Sequence, residues 1–274
     1  MDDLNISSAD YQTFCAFLEE SCGIVLGGNK HYLINSRLKK LLHENDVSSV
    51  GALLGKVKVD NRLRARVIDA MTTNETYWFR DSHPFLGLKD QLFPELTAKN
   101  IKRPRVWSAA SSTGQEAYTI SMMADDYING QRGGFSDVEI VATDISSSVL
   151  EAARKAEYDE LSLSRGLALE YRKRYFTQAG QVWRVNDNIK RRVRFSEFNL
   201  MTSFNSLGKF HIIFCRNVLI YFSSELKKDI LDRMANALEP GGYLFLGGSE
   251  SMASYSSRFE TVRYSGGLVY KLTK

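Results

Sequence analysis

The apolar positions divide the chain into two patterns. From Tyr11 to Met71 they recur at three- and four-residue intervals, the signature of amphipathic helices. Ser7 and Ser8 stand as a cap before Tyr11, Phe14, Phe17 and Leu18. A second helix is predicted from about Lys30 to His43, with Leu33, Ile34, Leu38, Leu41 and Leu42 inward. Val50, Leu53, Leu54 and Val57 mark a third. Leu63, Val67, Ile68 and Met71 mark a fourth, capped by Asp60. These segments predict a small all-α domain over residues 1–75. After Pro104 the period changes, and short apolar runs alternate with helical stretches. Strands are expected at Arg105–Ala109, Val138–Thr143, Val193–Phe198, Phe210–Cys215 and Tyr243–Leu246. Helices are expected at Gln115–Tyr127, after Ser146 or Ser147, and at Glu225–Leu238, the last stopped by Pro240-Gly-Gly242. Such alternation predicts a doubly wound parallel sheet.

Two segments break the rhythm. Tyr158–Arg192 reads as a helix over Leu161–Arg174 followed by a hairpin around Gln178-Ala-Gly-Gln181, an inserted β-subdomain at about 158–192. At the C-terminus, Phe259–Tyr264 and Leu268–Leu272 flank Ser265-Gly-Gly267, a hairpin signal. Gly130-Gln-Arg-Gly-Gly134 is read as a turn. A terminal antiparallel hairpin on a doubly wound sheet is typical of class I methyltransferases, not of dehydrogenases. Between the two patterns lies Thr72–Pro84, with Tyr77, Trp78 and Phe79 adjacent. Pro84 biases His83 away from helix and marks a boundary. Residues 76–90 therefore read as a linker bordering a cleft, and 91–274 as the second domain.

Composition narrows the function classes. The chain has 274 residues, 43% apolar and 25% charged, ordinary for a soluble globular protein. No apolar run approaches the roughly 20 residues of a membrane span, and the acidic start, Met1-Asp-Asp-Leu-Asn5, lacks a signal-peptide core. Three cysteines without metal-ligand spacing point to a reducing, cytoplasmic setting. The net charge of +4 is mild, but Lys30–Arg66 holds nine basic residues (30, 37, 39, 40, 56, 58, 62, 64, 66) against three acids. Each alone reads as a solvated surface charge. Together they favour an acidic partner, either a nucleic acid or a protein. No basic stripe interleaved with aromatics is present, which favours protein.

Ligands of doubly wound sheets sit beyond the carboxyl ends of the strands. There the sequence places the loop Ser111–Glu116, then Asp144, Asn199-Leu200 and Arg216-Asn217. Asp144 suits a pair of ribose hydroxyls, or a helix cap. Glu116 is either an ordinary first-turn acid or a group that attracts an ammonium. Asn199 could read an adenine edge. Arg216, a charge after a buried strand, should serve something. Asn74, Thr76 and Arg80 are read as one wall of an interdomain cleft, or as linker. Arg80 suits a carboxylate. No catalytic triad, P-loop or metal cluster is apparent.

Several motifs together resemble one family. They are Asn74-Glu-Thr76…Phe79-Arg80, Trp107-Ser-Ala-Ala…Ser-Thr-Gly114, Ala142-Thr-Asp144-Ile, Phe214-Cys-Arg-Asn217-Val-Leu-Ile-Tyr221-Phe and Pro240-Gly-Gly…Leu246-Gly-Gly-Ser-Glu250. In combination they resemble the chemotaxis-receptor glutamate methyltransferases, the CheR family, over nearly the whole chain. The resemblance implies S-adenosylmethionine, with S-adenosylhomocysteine as product, bound by Asn74, Thr76, Arg80, Glu116, Asp144, Asn199, Leu200, Arg216 and Asn217. Arg80 and Tyr221 match positions near the reacting methyl; Tyr221 reads equally as a strand-end aromatic. No metal is implied. The resemblance further implies methyl esters formed on glutamates of the cytoplasmic helical bundle of chemoreceptors, docked on the basic helices by a monomeric enzyme without nucleic acid or membrane insertion.

The sequence departs from the family at Ser111, where cysteine is usual, and at Gln115 and Ala117, where Glu and Pro are common. Some members grip a receptor C-terminal tether peptide with the inserted β-subdomain. The hairpin turn here is shorter, which predicts independence of a tether. Two other functions fit the same fold: a nucleic-acid methyltransferase, and a signalling module that binds the cofactor without transfer.

Overall fold

The computed structural model of the chain describes residues 6–130, 134–252, 254–264 and 266–273. The acidic start, the middle of the expected turn (131–133) and Ser265 of the expected hairpin turn lie outside the described residues. Four helices come first: α1 (Ser8–Cys22), α2 (His31–Glu44), α3 (Val50–Val57) and α4 (Asn61–Met71). Their expected caps are made. Ser7 Oγ accepts from the Asp10 amide at 3.1 Å, and Asp60 Oδ1 from those of Arg62 and Leu63 at 2.8 and 3.0 Å. These bonds satisfy donors that a first helical turn leaves free. Phe14, Leu18, Ile34, Leu38, Leu53 and Val67 are fully buried at the centre of the bundle. Leu33, expected inward, is only half-buried and lines a cleft instead.

Pro84 does not keep His83 out of a helix. His83–Gly87 is helical, with Pro84 in the first turn, where its missing N–H leaves no bond unmade. The helix continues through a π-helical stretch, Leu88–Leu92, into Phe93–Ala98. Phe85, Leu88, Leu92, Phe93 and Leu96 from these turns pack into the core of the large sheet. The segment beyond His83 thus belongs to the second domain's core.

Among the described residues ten strands follow: β1 (Arg105–Ala109), β2 (Glu139–Asp144), β3 (Glu157–Tyr158), β4 (Phe176–Ala179), β5 (Val182–Val185), β6 (Val193–Glu197), β7 (Phe210–Cys215), β8 (Leu238–Leu246), β9 (Phe259–Tyr264) and β10 (Gly267–Leu272). Seven form one sheet in the order β6-β2-β1-β7-β8-β10-β9. The first five are parallel, and β10 runs antiparallel to both β8 and β9. This is the expected doubly wound sheet with its terminal hairpin. Side chains alternate between two cores, as the pleat requires. Val106, Ile212 and Phe214 face the helix Gln115–Gly130, whereas Trp107, Ile213 and Cys215 face the helix Ser224–Ala237. The chain walks from β1 through β2 to β6 at one edge, then crosses to β7 beside β1. The loops after β1 and β7 diverge there and open a crevice.

Two expectations change in detail. Pro240-Gly-Gly242, expected to stop a helix ahead of a strand, lies inside β8, at a register shift opposite Phe210–Ile212. Gly241 has φ +70°, and a Cβ on Gly242 would meet the carbonyls of Glu239 and His211 at 2.9 and 3.0 Å. The single helix expected in the insertion is two short ones, Glu160–Ser164 and Leu169–Tyr175, and a further turn of helix, Asp187–Lys190, follows the hairpin. Gly166 breaks the first two apart at φ +88°, where a Cβ would press to 2.1 Å from the Trp78 carbonyl. Trp78 is fully buried, edge-on to Tyr158 and Phe176 at 4.9 and 5.2 Å. The central junction aromatic therefore plugs the insertion. Strands β3, β5 and β4 make a small antiparallel sheet there. Asp126 on the main helix anchors the insertion through its second short helix, accepting from the Tyr175 and Tyr171 hydroxyls at 2.6 and 3.0 Å. Among the described residues no helix is long and apolar enough to cross a membrane.

The helical bundle is keyed to the sheet domain at the end of α1. Gly23 ends that helix at φ +76°, and a Cβ there would stand 2.4 Å from Leu226 Cδ2. Gly23→Ala should therefore destabilise the protein by at least about 1 kcal/mol in urea denaturation. Gly28→Ala, with nothing within 4 Å of the added carbon, should stay within about 0.5 kcal/mol of wild type.

Candidate active site

The crevice between β1 and β7 deepens into a cleft roofed by the helical bundle. All ten residues singled out in the sequence (Asn74, Thr76, Arg80, Glu116, Asp144, Asn199, Leu200, Arg216, Asn217 and Tyr221) line it. The β1 loop carries strained backbone: Ala110 and Ser112 hold φ +57° and +50°, a region sparsely populated without glycine. Bonds hold it there. The Ser111 amide donates to Thr143 O at 2.9 Å, the Ser112 amide to Asp144 Oδ2 at 2.8 Å, and Ser112 Oγ to Asn74 O at 2.9 Å. Gly114 does not face the cleft. A Cβ there would meet Ala153, Phe195 and Tyr118 at 3.1–3.2 Å, so this glycine serves helix packing.

Asp144 ends β2 with its carboxylate nearly buried. Oδ2 accepts from Ser112, and Oδ1 accepts from the Ser146 amide at 3.0 Å. Burial pushes its carboxyl above the ordinary aspartate range, while these backbone amides pull the other way. The helix cap falls to Ser146, whose Oγ accepts from Val149 N at 3.3 Å. Each oxygen of Asp144 keeps a lone pair for a diol.

Arg216 explains the charge after the buried strand. Its side chain is 2% exposed and forks between two acids: Nη1 to Glu116 Oε2 at 3.0 Å and Nη2 to Asp81 Oδ2 at 2.6 Å. Nη2 also donates to Arg80 O at 2.9 Å. Glu116 Oε1 accepts from Ser108 Oγ at 2.7 Å. One guanidinium thus joins β7, the helix after β1 and the junction. The three charges sum to one negative, which suits a cationic ligand. Arg80 lies over the Tyr77 ring, 5.5 Å from its centroid, with Nη1 on Glu75 O at 2.9 Å.

Asn199 differs from its sequence reading. Its Nδ2 donates to Ser21 O at the end of α1 at 2.8 Å, and its Oδ1 accepts from Met201 N at 3.0 Å. Both ends of the amide are engaged, and the side chain joins the two domains. Leu200, 7% exposed, and Phe198 supply an apolar wall for a flat ring. The half-buried Tyr221 receives the Val25 amide on its carbonyl at 2.9 Å.

Three polar atoms of the lining are buried without a partner: Ser111 Oγ, Arg216 Nε and Asn217 Oδ1. Each costs about 1–3 kcal/mol if left unbonded, so the cleft is built for a ligand with polar groups of its own. With Asp144 placed for a diol, an apolar wall and a net negative triad, the donor set fits S-adenosylmethionine.

Sequence reasoning missed several contributors. Arg37, counted in the outward basic face, turns inward and donates to Met71 O, Thr72 O and Thr73 Oγ1 at 2.6, 2.9 and 3.0 Å. Arg64 donates to Ser21 Oγ at 3.0 Å, and Arg66 pairs with Glu44. Asp81, next to Arg80, was not singled out, nor was the α1–α2 connection, where Ile24, Val25, Leu26 and Lys30 form a wall. Glu250, read only as part of a motif, binds the β7 turn.

The comparisons with known proteins agree with this geometry. Residues 9–72 match the CheR methyltransferase all-alpha domain, and residues 74–267 match the CheR methyltransferase SAM binding domain. The chain is similar to chemotaxis protein methyltransferase 1 of Pseudomonas aeruginosa, 48% identical over 98% of this chain and 99% of that protein. It is also similar to chemotaxis protein methyltransferase 1 of Vibrio cholerae, 50% identical over 99% of this chain and 100% of that one. Cher2 of Pseudomonas putida is 46% identical over 98% of this chain and 99% of that protein. The chain belongs to the CheR family and is an S-adenosylmethionine-dependent chemotaxis methyltransferase.

Proposed function

We propose that this enzyme methylates glutamate side chains on the cytoplasmic helical bundle of chemoreceptors, forming methyl esters in the cytoplasm. One observation carries the acceptor chemistry: among the described residues the cleft offers no histidine and no carboxylate without a protein donor already on it. No histidine lines it, and each of its three carboxylates is engaged: Glu75 by Arg165, Asp144 by two amides, Glu116 by Ser108 and Arg216. An acceptor that must lose a proton would need a base. A glutamate side chain, which ordinarily titrates near pH ~4.3, arrives already ionised.

S-adenosylmethionine supplies a methyl group activated by a sulfonium. The protein supplies position. In this reading Asn74, Thr76, Arg80, Glu116, Asp144, Asn199, Leu200, Arg216 and Asn217 surround the cofactor, with Asn199 acting through its backbone and its hold on α1. Arg80 anchors cofactor or acceptor as a permanent charge. Tyr221 orients the acceptor carboxylate. The roof at Ile24–Leu26, bonded to the Tyr221 carbonyl, keeps water from the reacting groups.

Docking falls to the outer face of the helical bundle. Lys39, Lys58 and Arg62 are exposed and have no ion pair among the described residues. They favour an acidic helical bundle over the enzyme's own surface. Residues 1–75 act as the docking domain, the junction around Thr76 and Arg80 as cleft wall, and the chain from His83 onward as the catalytic domain of a monomer. The insertion's hairpin closes through Gly180-Gln181, with Ala179 paired to Val182. Its shortness supports methylation independent of a tether.

Incubation with radiolabelled cofactor and receptor membranes should put label on protein that mild alkali releases, as esters hydrolyse and N-methyl groups do not. Alkali-stable label on protein would overturn the ester, and label on nucleic acid with steeply salt-dependent binding would favour a nucleic-acid methyltransferase. Cofactor binding without transfer would favour the signalling module. Arg80→Ala should lower kcat/KM about a hundredfold, the scale for losing one preorganised charged contact. Near-normal turnover with wild-type cofactor affinity would contradict its role. Calorimetry with a receptor C-terminal peptide should detect no binding, and micromolar affinity would overturn tether independence.

A further inference from the structure

The turn after β7 carries Arg216, Asn217 and Tyr221, and one carboxylate from the end of β8 holds its backbone. Glu250 Oε2 accepts from the Asn217 amide at 2.8 Å and from the Gly247 amide at 2.7 Å. Glu250 Oε1 accepts from the Ile220 amide at 3.3 Å. Donors from the ends of two adjacent parallel strands therefore converge on a single side chain. Glu250 is not part of the cleft lining.

Two backbone observations show that the site is built around this contact. Asn217 holds φ +58°, a left-handed conformation in which the amide points at Glu250. Asparagine tolerates that region better than most residues but still needs holding. Gly247 leaves the room: a Cβ there would stand 2.8 Å from both Asn217 N and Glu250 Oε2. A bond from amide to carboxylate is stronger than one between neutral partners, so three on one group make a stiff clasp.

We propose that Glu250 is a positioning residue for methyl transfer. It fixes the 216–221 turn so that Arg216, Asn217 and Tyr221 meet the cleft together. Below the turn the hold is Glu250; above it, the helical domain supplies the bond from Val25 N to Tyr221 O at 2.9 Å. Removing the carboxylate frees the Asn217 amide and lets the turn relax out of its left-handed conformation. The proposal rests on the reading of this cleft as the site of cofactor and acceptor.

The test compares Glu250→Ala and Glu250→Gln with Ile230→Val, a substitution in the buried core beneath the same sheet. Affinity for S-adenosylhomocysteine is measured by calorimetry, and turnover on receptor membranes is measured separately. Glu250→Ala should weaken binding and lower kcat, each by about tenfold to a hundredfold, as displaced site groups do. Glu250→Gln keeps one oxygen for Asn217 and Gly247 but turns a donor toward the Ile220 amide, so its binding and turnover should fall between wild type and Glu250→Ala. Ile230→Val should keep both at wild-type levels even where its melting temperature falls as far. Binding and turnover of Glu250→Ala matching Ile230→Val would overturn the proposal. If Glu250→Ala does not fold, Glu250→Gln decides: unchanged binding and turnover overturn it, and reduced values sustain it. Product binding does not depend on the acceptor. If wild type binds product yet labels no receptor, the functional reading fails separately.

Discussion

The buried fork of Arg216 is the constraint on which the rest of the molecule depends. A guanidinium held at 2% exposure is stable only with its partners in place, and those partners come from two distant parts of the chain. Glu116 stands on the helix after β1, Asp81 in the junction, and the Arg80 carbonyl beside it. Breaking such a buried pair from one side costs about 3–5 kcal/mol, because the charge left behind has no water to turn to. A hydrophobic replacement would be no less stable, so the ionic arrangement needs a functional reason. It makes one corner of the cleft negative and ties the junction to the end of β7, where two walls meet.

That tie has a counterpart in how the helical bundle sits on the sheet. Asn199 reaches Ser21, Val25 reaches Tyr221, and Asp69 accepts from Ser148 Oγ at 3.0 Å and from Ser146 Oγ. Ser146 is the residue that caps the helix after Asp144, so the bundle touches the same turn that carries Asp144 into the cleft. Within the bundle, Arg37 of α2 holds the Met71 and Thr72 carbonyls and the Thr73 hydroxyl, just ahead of Asn74. The bundle is thus a wall of the cleft as well as a candidate docking surface. Any displacement of α2 is felt at Asn74, whose carbonyl receives Ser112.

What the sequence displays and what it conceals follow from range. Helix faces, caps and the alternation of strands depend on neighbours within a few residues, and Ser7, Asp60 and Arg105–Ala109 are readable for that reason. Strand-end residues are readable as a set, because the doubly wound topology brings them to one rim. Their partners are not. Arg216 and Asp81 are 135 residues apart, and no local pattern connects them. Asn199 reads as a ligand residue because its bond to Ser21, which crosses between domains, leaves no trace in the sequence. Arg37 reads as one more outward charge because helical period does not reveal a carbonyl cluster waiting at Met71. Gly166 and Trp78 explain each other only in three dimensions: the glycine breaks the expected helix so that the indole's backbone can lie against it.

The β1 loop follows from the charge of the ligand that the family binds. A phosphate would be met by bare amides at the start of the Gln115 helix, and the positive end of the helix dipole would help. A sulfonium carries the opposite sign. Here the first helical turn presents Glu116, and the loop amide of Ser112 is turned onto Asp144 and so is not left to a ligand anion. The left-handed conformations that glycines would supply in a phosphate loop fall on Ala110 and Ser112, held by specific bonds. Gly114 is retained for its fit against Ala153 and Tyr118. A loop with one glycine is thus a loop that sets carboxylates, in place of bare amides, along the cleft.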